Sequence, residues 1–237
     1  GKYEDYPLEK IVTITTYQKF PNSAYFLVSY INNGDKELPI VEWVNNHYTI
    51  LPSKSDTTKF WSFQGSSHAD RRDWIQKVNA GVYHDNYMGM NATDYGGGIP
   101  VVDLWRNNAG GIMIGSTESI PRLISLPVRY DKYADGADIS VSYGFTDNPT
   151  ILNPGDTLDT YGTFAGVHEG DCFPALQNYA AYMETRGIVP PEPEEGAFEP
   201  MWCAWGYERG FTLKEILNTL PKVKDLGIKW VGLDDGF

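Results

Sequence analysis

The chain has 237 residues, of which 41% are hydrophobic and 14% aromatic, enough to bury one large core or one core and part of another. Nineteen Lys and Arg stand against 31 Asp and Glu, and the resulting net charge of −12 repels a phosphate backbone, which argues against a nucleic-acid partner. No apolar run of about 18 residues is present, so no helix that spans a membrane is expected. Two cysteines, Cys172 and Cys203, make neither a disulfide framework nor a paired zinc motif.

The first residue is Gly1 rather than Met, and no charged-then-apolar leader follows it. This leans toward an exported, periplasmic or secreted protein whose signal has been removed.

From about residue 10 to 167 the pattern is one of short strands broken by turn chemistry. "AYFLVSYI" at 24–31 is β-branched and aromatic, "NNGD" at 32–35 supplies residues that tolerate positive φ, and "LPIVEWV" at 38–44 runs back, a hairpin signal. Further runs occur in "KFWSF" from Lys59, "GIMIGS" from Gly111, "LISLPVRY" from Leu123, "DISVSYGF" from Asp138 and "TLDTYGTFAGV" from Thr157. Strands of this length and spacing predict a mainly β, antiparallel sandwich. The 7 Trp, 16 Tyr and 10 Phe suit its core, and equally suit flat surfaces on which sugars stack.

Two weaker signals lie within this region. "YGGGIP" at 95–100 lacks the Gly-Lys-Ser/Thr ending of a phosphate loop and reads as a flexible connection. His47, His68 and His84 are scattered, and only "HEGDC" from His168 gathers possible ligands. Without a second cluster, neither a metal nor a cofactor is expected.

After Gly170 the period changes. Phe173, Leu176, Tyr179, Ala180 and Met183 recur at helical spacing and Gly187 supplies a stop. Ile188 to Pro200, with four prolines and four glutamates, reads as a stiff, exposed linker. Beyond it, "MWCAW" at 201–205 is a short apolar strand, and Thr212 with Glu215 forms a capping box. Leu213, Ile216, Leu217, Leu220, Val223 and Leu226 give that helix one buried face, Pro221 is expected to kink it, and Gly227 ends it. "IKWVGL" then reads as a strand buried on both faces of a parallel sheet. The result is one βαβ unit, which cannot bury both its faces alone.

In barrels of such units, function collects at the C-terminal ends of the strands. Trp205 ends the first strand, and Asp234 with Asp235 ends the second, in "GLDDGF". An indole beside two carboxylates can receive a sugar, two Asp can hold a divalent cation, and "DDG" is also an ordinary turn after a strand.

Residues 198–237 resemble the opening of the catalytic barrel of glycoside hydrolase family 36, the α-galactosidases or melibiases, in which the second strand ends in Asp-Asp-Gly-Trp. Phe237 stands where that family has the final Trp. "WSFQGSSHADRRDW" at 61–74 is similar to the Gln-Gly-Gly-Ser and Arg-Pro-Asp-Trp segment of the family's N-terminal domain, with Ser66 replacing a Gly and Arg72 the Pro, and "HEGDCFPALQNY" to the closing Lys-Gly-Asp and helix connection. The resemblance implies an antiparallel β-supersandwich with a closing helix over 1–187, a Pro-rich linker over 188–200, and the first βαβ unit of an incomplete (β/α)8 barrel over 201–237.

It also implies a retaining glycosidase on α-linked galactosides, with two carboxyl groups roughly 5 Å apart as nucleophile and acid/base. The family places these after the fourth and sixth barrel strands, so no catalytic residue is expected in this chain, which is expected to be a fragment inactive by itself. Trp205, Asp234 and Asp235 match the family's sugar-binding positions. The expected partners are α-galactoside oligosaccharides, with a homo-oligomer in the full-length protein, to which Arg71, Arg72 or Trp74 could contribute. Alternatives are an α-N-acetylgalactosaminidase, a galactosyl transferase, or a lectin-like sandwich without catalysis.

Overall fold

The computed structural model describes residues 2–3, 6–52, 60–65, 74–89, 98–107, 109–133, 135–145, 148–208 and 210–234. The chain divides into a first unit, Gly1–Ile188, and a second, Val189–Phe237.

In chain order the first unit contains β1 (Lys2–Tyr3), β2 (Tyr6–Tyr17), β3 (Phe20–Asn32), β4 (Leu38–Ile40), β5 (Glu42–Ile50), β6 (Phe60–Phe63), β7 (Ile75–Val78) and β8 (Tyr83–His84). There follow β9 (Val101–Arg106), β10 (Gly110–Ser116), β11 (Val128–Asp131), β12 (Gly136–Gly144), β13 (Thr150–Leu152), β14 (Thr157–Asp159), β15 (Thr163–His168) and the helix α1 (Cys172–Thr185). Among the described residues these strands form a nine-stranded antiparallel sheet, β1-β2-β3-β15-β10-β9-β6-β7 with β14 also on β3, and a four-stranded sheet, β5-β12-β11-β8, while β4 pairs with β13.

The strand period of two sorts side chains between two cores. Val102 and Leu104 of β9 and Ile114 of β10 join Trp43, Ile124, Leu126, Val128, Ile139 and Val141 in a core that draws on both sheets. Their neighbours Val101, Trp105 and Met113 join Phe20, Tyr25, Phe63 and Phe164 in a second core, completed by Cys172, Ala175, Tyr182 and Met183 of α1. The middle of the large sheet is therefore buried on both faces. The mainly β, antiparallel architecture expected from the sequence is present.

One expectation fails. The run at 24–31 does not fold back on 38–44: β3 pairs with β2, β14 and β15, whereas β4 pairs with β13 and β5 with β12. Asn32 redirects the chain. Its buried amide donates to the carbonyls of Lys36 at 2.7 Å and Leu152 at 2.9 Å, and its side-chain oxygen accepts from the Gly34 N–H. "NNGD" thus serves as a crossing between sheets, and the true hairpin, β2 to β3, turns at Gln18 and Lys19 without Gly or Asn.

α1 matches its predicted span. Asp171 caps it by accepting from the Phe173 N–H, and at its end the Gly187 N–H donates to Glu184 O and the Ile188 N–H to Met183 O, with Gly187 at φ +88°. That is the doubly bonded C-terminal motif that needs a left-handed residue.

In the second unit β16 (Met201–Cys203) and β17 (Trp230–Gly232) pair in parallel across α2 (Leu213–Asp225). The capping box is formed in both directions, and Gly227 closes the helix in the same way as Gly187. The helix runs across Pro221 as one element. Two burial expectations fail. Ile216 and Val223 are buried, but Leu213, Leu217 and Leu226 are 69%, 55% and 76% exposed, and β17 is largely exposed. One helix and one neighbouring strand cover a single side of each element. The Pro/Glu segment is also more than a connector. Glu199 accepts from Lys229 Nζ at 2.5 Å and Trp230 Nε1 at 2.7 Å, and the Trp230 ring lies where a Cβ on Gly196 would be, 2.8 Å away.

Candidate functional site

The site begins with the register of the parallel pair, Met201 with Trp230, Trp202 with Val231 and Cys203 with Gly232. The C-terminal ends of β16 and β17 therefore lie side by side. After β16 the chain enters a 3-10 turn, Ala204–Tyr207, anchored by buried Ala204 against Phe211 and Ile216 and by an edge contact of Tyr207 with Trp202 at 6.1 Å. That turn presents Trp205 at 41% exposure.

After β17, Leu233 leads to Asp234 at φ +59°, a left-handed conformation that Asp accepts more readily than most residues. The Cys203 thiol donates to Asp234 Oδ2 at 3.4 Å. Trp205 and Asp234 are thus brought to one rim. Asp235 lies outside the described residues. The strand itself ends at Gly232.

The cluster at 168–172 has a different role from metal binding. His168 Nε2 lies 2.9 Å from Asp103 Oδ1, and its Nδ1 lies 3.3 Å from the carbonyl of Glu169. Asp171 is spent on the helix cap and Cys172 is buried in the second core, where burial pushes its thiol up to about 11. Among the described residues no group of three or more His, Cys, Asp or Glu could hold a metal ion. Burial raises the Asp103 pKa against the pull of His168; burial also opposes charging His168, but its bonds to Asp103 outweigh this and leave its pKa raised. Asp103 was not singled out from the sequence. Its signal is a single acid inside the apolar strand "VVDLWR", which only a buried partner accommodates.

The described start of the "FQGSSHADRRDW" segment, Phe63–Gly65, is architectural. Gln64 is buried, its backbone N–H donates to Trp74 O at 2.7 Å, and its Oε1 accepts from Asn86 at 2.6 Å. A Cβ on Gly65 would stand 2.1 Å from the carbonyl of Val101, so only glycine fits beside β9. Trp74 stacks on Phe63 at 5.8 Å, and 66–73, with His68, Arg71 and Arg72, lie outside the described residues, as do 95–97 of the glycine run. No described helix is long and apolar enough to cross a membrane.

Comparison with known proteins gives a consistent fold. No family model matches the sequence. A curated relative, the A type blood α-D-galactosamine galactosaminidase of Flavonifractor plautii, is 25% identical over 219 residues, which is 90% of this chain and 19% of that protein. The galactosidase domain of the α-galactosidase-sucrose kinase AgaSK aligns over 99% of this chain and 32% of its own, with a TM-score of 0.58 and 14% identity. A variant of the family 36 α-galactosidase AgaA from Geobacillus stearothermophilus, solved with raffinose, aligns over 97% and 31%, with a TM-score of 0.55 and 18% identity. The sequence resemblance to family 36 is borne out along nearly the whole chain, which has the fold of the corresponding part of those enzymes. The chain spans about a fifth of the curated relative and about a third of the solved structures.

Proposed function

We propose that these 237 residues are the N-terminal part of a retaining glycoside hydrolase acting on α-linked galactosides, and that Trp205, Asp234 and Asp235 bind the galactose ring. The observation that carries this is the parallel pairing of β16 with β17, which sets an indole and a carboxylate at the C-terminal end of adjoining strands, where barrel enzymes bind substrate. In such a site the Asp carboxylates accept hydrogen bonds from ring hydroxyls and the indole covers the apolar face.

The exposed Leu213 and Leu217, one turn apart on the same face of α2, support the larger barrel, because neighbouring exposed leucines on a helix are normally covered by another element. The nucleophile and the acid/base belong to later strands of that barrel, and the full-length protein is a homo-oligomer in which the sandwich helps to form a neighbour's site. A galactosaminidase is the second reading, favoured by the name of the curated relative.

The test is to assay both the 237-residue protein and the longest product its gene encodes on 4-nitrophenyl α-galactoside and 4-nitrophenyl α-galactosaminides. Release by the long product alone supports the proposal, and the preferred sugar chooses between the two specificities. Release by the 237-residue protein would move the catalytic carboxylates into this chain, and release by neither would leave the lectin-like sandwich.

A further inference from the structure

A groove of about 660 Å³ opens on the first unit beside the four-stranded sheet. This lies within the range of about 300–1,000 Å³ typical of small-molecule sites. One wall is the chain at Tyr83, Asp85 and Tyr87, and the other is the end of β12, with Tyr143 and Phe145. Glu42, paired with Gly144 at the start of β5, also lines it.

Three features make it a built surface. Tyr143 is wedged against Trp43 at 6.1 Å, Tyr161 at 5.3 Å and Phe145 at 4.9 Å, so its ring is held fixed. Tyr83 is 61% exposed and offers a second ring. Asp85 is oriented by hydroxyls on both its oxygens, Ser125 at 3.1 Å and Tyr83 at 3.4 Å, while the Leu126 N–H fixes its backbone carbonyl at 3.0 Å. A carboxylate and rings held in place bind without a large ordering cost.

The lining chemistry selects the ligand. Among the described residues the groove carries two carboxylates and no Lys or Arg. Arg129, whose charge reaches the Tyr83 hydroxyl, is held by Asp138 at 2.7 Å. An anion is therefore repelled. No three metal-ligating groups gather among the described residues, so a divalent cation has no cage. An alkylammonium group would use only a carboxylate and a ring, and would leave the Ser142 hydroxyl and the Asn148 amide without a function. Alternating ring faces, carboxylates and neutral hydrogen-bonding groups match a neutral sugar, whose C–H faces stack and whose hydroxyls both donate and accept.

We propose that this groove is a saccharide-binding site that takes a neutral oligosaccharide, built from none of the residues of the β16–β17 rim. The proposal is independent of the catalytic reading above. The test uses the 237-residue protein labelled with ¹⁵N and titrated with raffinose, cellotetraose, xylotetraose and chitotetraose. At least one sugar should shift the amides of Tyr83, Asp85, Tyr87 and Gly144. Tyr83→Ala, which removes an exposed ring, and Asp85→Asn should each weaken that binding about fivefold or more. Trp205→Ala should leave the same shifts in place, which separates this site from the rim. Silence at these amides up to ~20 mM of every sugar, shifts confined to residues 201–234, or shifts with spermidine but no sugar would each overturn it.

Discussion

His168→Ala isolates the buried acid of the first unit. Asp103 is fully buried in the strand at the centre of the large sheet, one oxygen bonded to His168 and the other without a hydrogen-bond partner among the described residues. Removing the imidazole leaves a buried carboxylate uncompensated, which costs about 3–5 kcal/mol. For a protein of this size that is roughly a 6–20 °C fall in Tm. The cost depends on pH with a definite sign. Both groups titrate above their ordinary values of 3.8 and 6.5, so the folded chain holds more protons than the unfolded one, and the contribution of the pair is complete at low pH and lost as pH rises through the raised values. In the variant, protonated Asp103 carries no charge at low pH. Between pH 5 and 6.5 His168 is protonated in both the folded and the unfolded wild type, whereas Asp103 of the variant, without the imidazole that lowers its pKa, holds its proton more firmly, so the penalty of His168→Ala should grow across that window by at most about 1.4 kcal/mol per pH unit and stop growing above 6.5, where the wild type loses stability as well. Asp103→Asn keeps one neutral hydrogen bond and should cost only about 1 kcal/mol. Hydrogen exchange at the amides of β9, β10 and β15 measures this unit alone. A penalty for His168→Ala under about 1 kcal/mol, or one that does not grow between pH 5 and 6.5, would refute the buried-charge account.

Three further changes test other parts of the molecule. Gly65→Ala drives a methyl group into the carbonyls of Val101 and Ile99 and should destabilise the first unit by about 1–3 kcal/mol, read from urea unfolding. Thr212→Ala removes the capping box and should cost α2 about 1 kcal/mol, seen as roughly fivefold faster amide exchange over Leu213–Leu217, with exchange in the first unit unchanged. In the longest gene product, Asp234→Asn should weaken galactoside affinity about 10- to 100-fold, measured by inhibition with galactose; an unchanged affinity would remove Asp234 from the site.

The legible parts of the fold were those set by local rules. The helices α1 and α2, their caps Asp171 and Thr212, and their glycine ends follow from spacing and capping chemistry that act within a few residues. The strands at 60–63, 110–116 and 163–168 were visible from composition. Partnership was not visible, because a strand's own sequence does not name its neighbour: "NNGD" carries turn chemistry, yet Asn32 uses it to bind Leu152, 120 residues away. The strand at 101–106 was missed because its continuous apolar run has no alternation to detect when both faces are buried. The same holds for the pairing of Asp103 with His168, 65 residues apart. At the rim, the sequence places Trp205 and Asp234 at strand ends, while the thiol contact from Cys203 needed the parallel register.

The rim and the exposed residues of β17 bear on the same physical question. A sugar site requires its groups to be held to within about 0.5 Å. Here Asp234 lies beyond the last hydrogen-bonded pair, Cys203 with Gly232, and its position depends on how firmly β17 is held. One side of β17 is held by β16, and Glu199 ties Lys229 and Trp230, with both bonds lowering its pKa and favouring the charged form that accepts them. Val231 and Trp230, whose side chains point to opposite faces of the strand, are 42% and 50% exposed. Covering those surfaces would stiffen the strand that carries Asp234. Covering β17 and tightening the sugar site are then one event, so galactose affinity should rise with whatever element covers Val231 and Leu233.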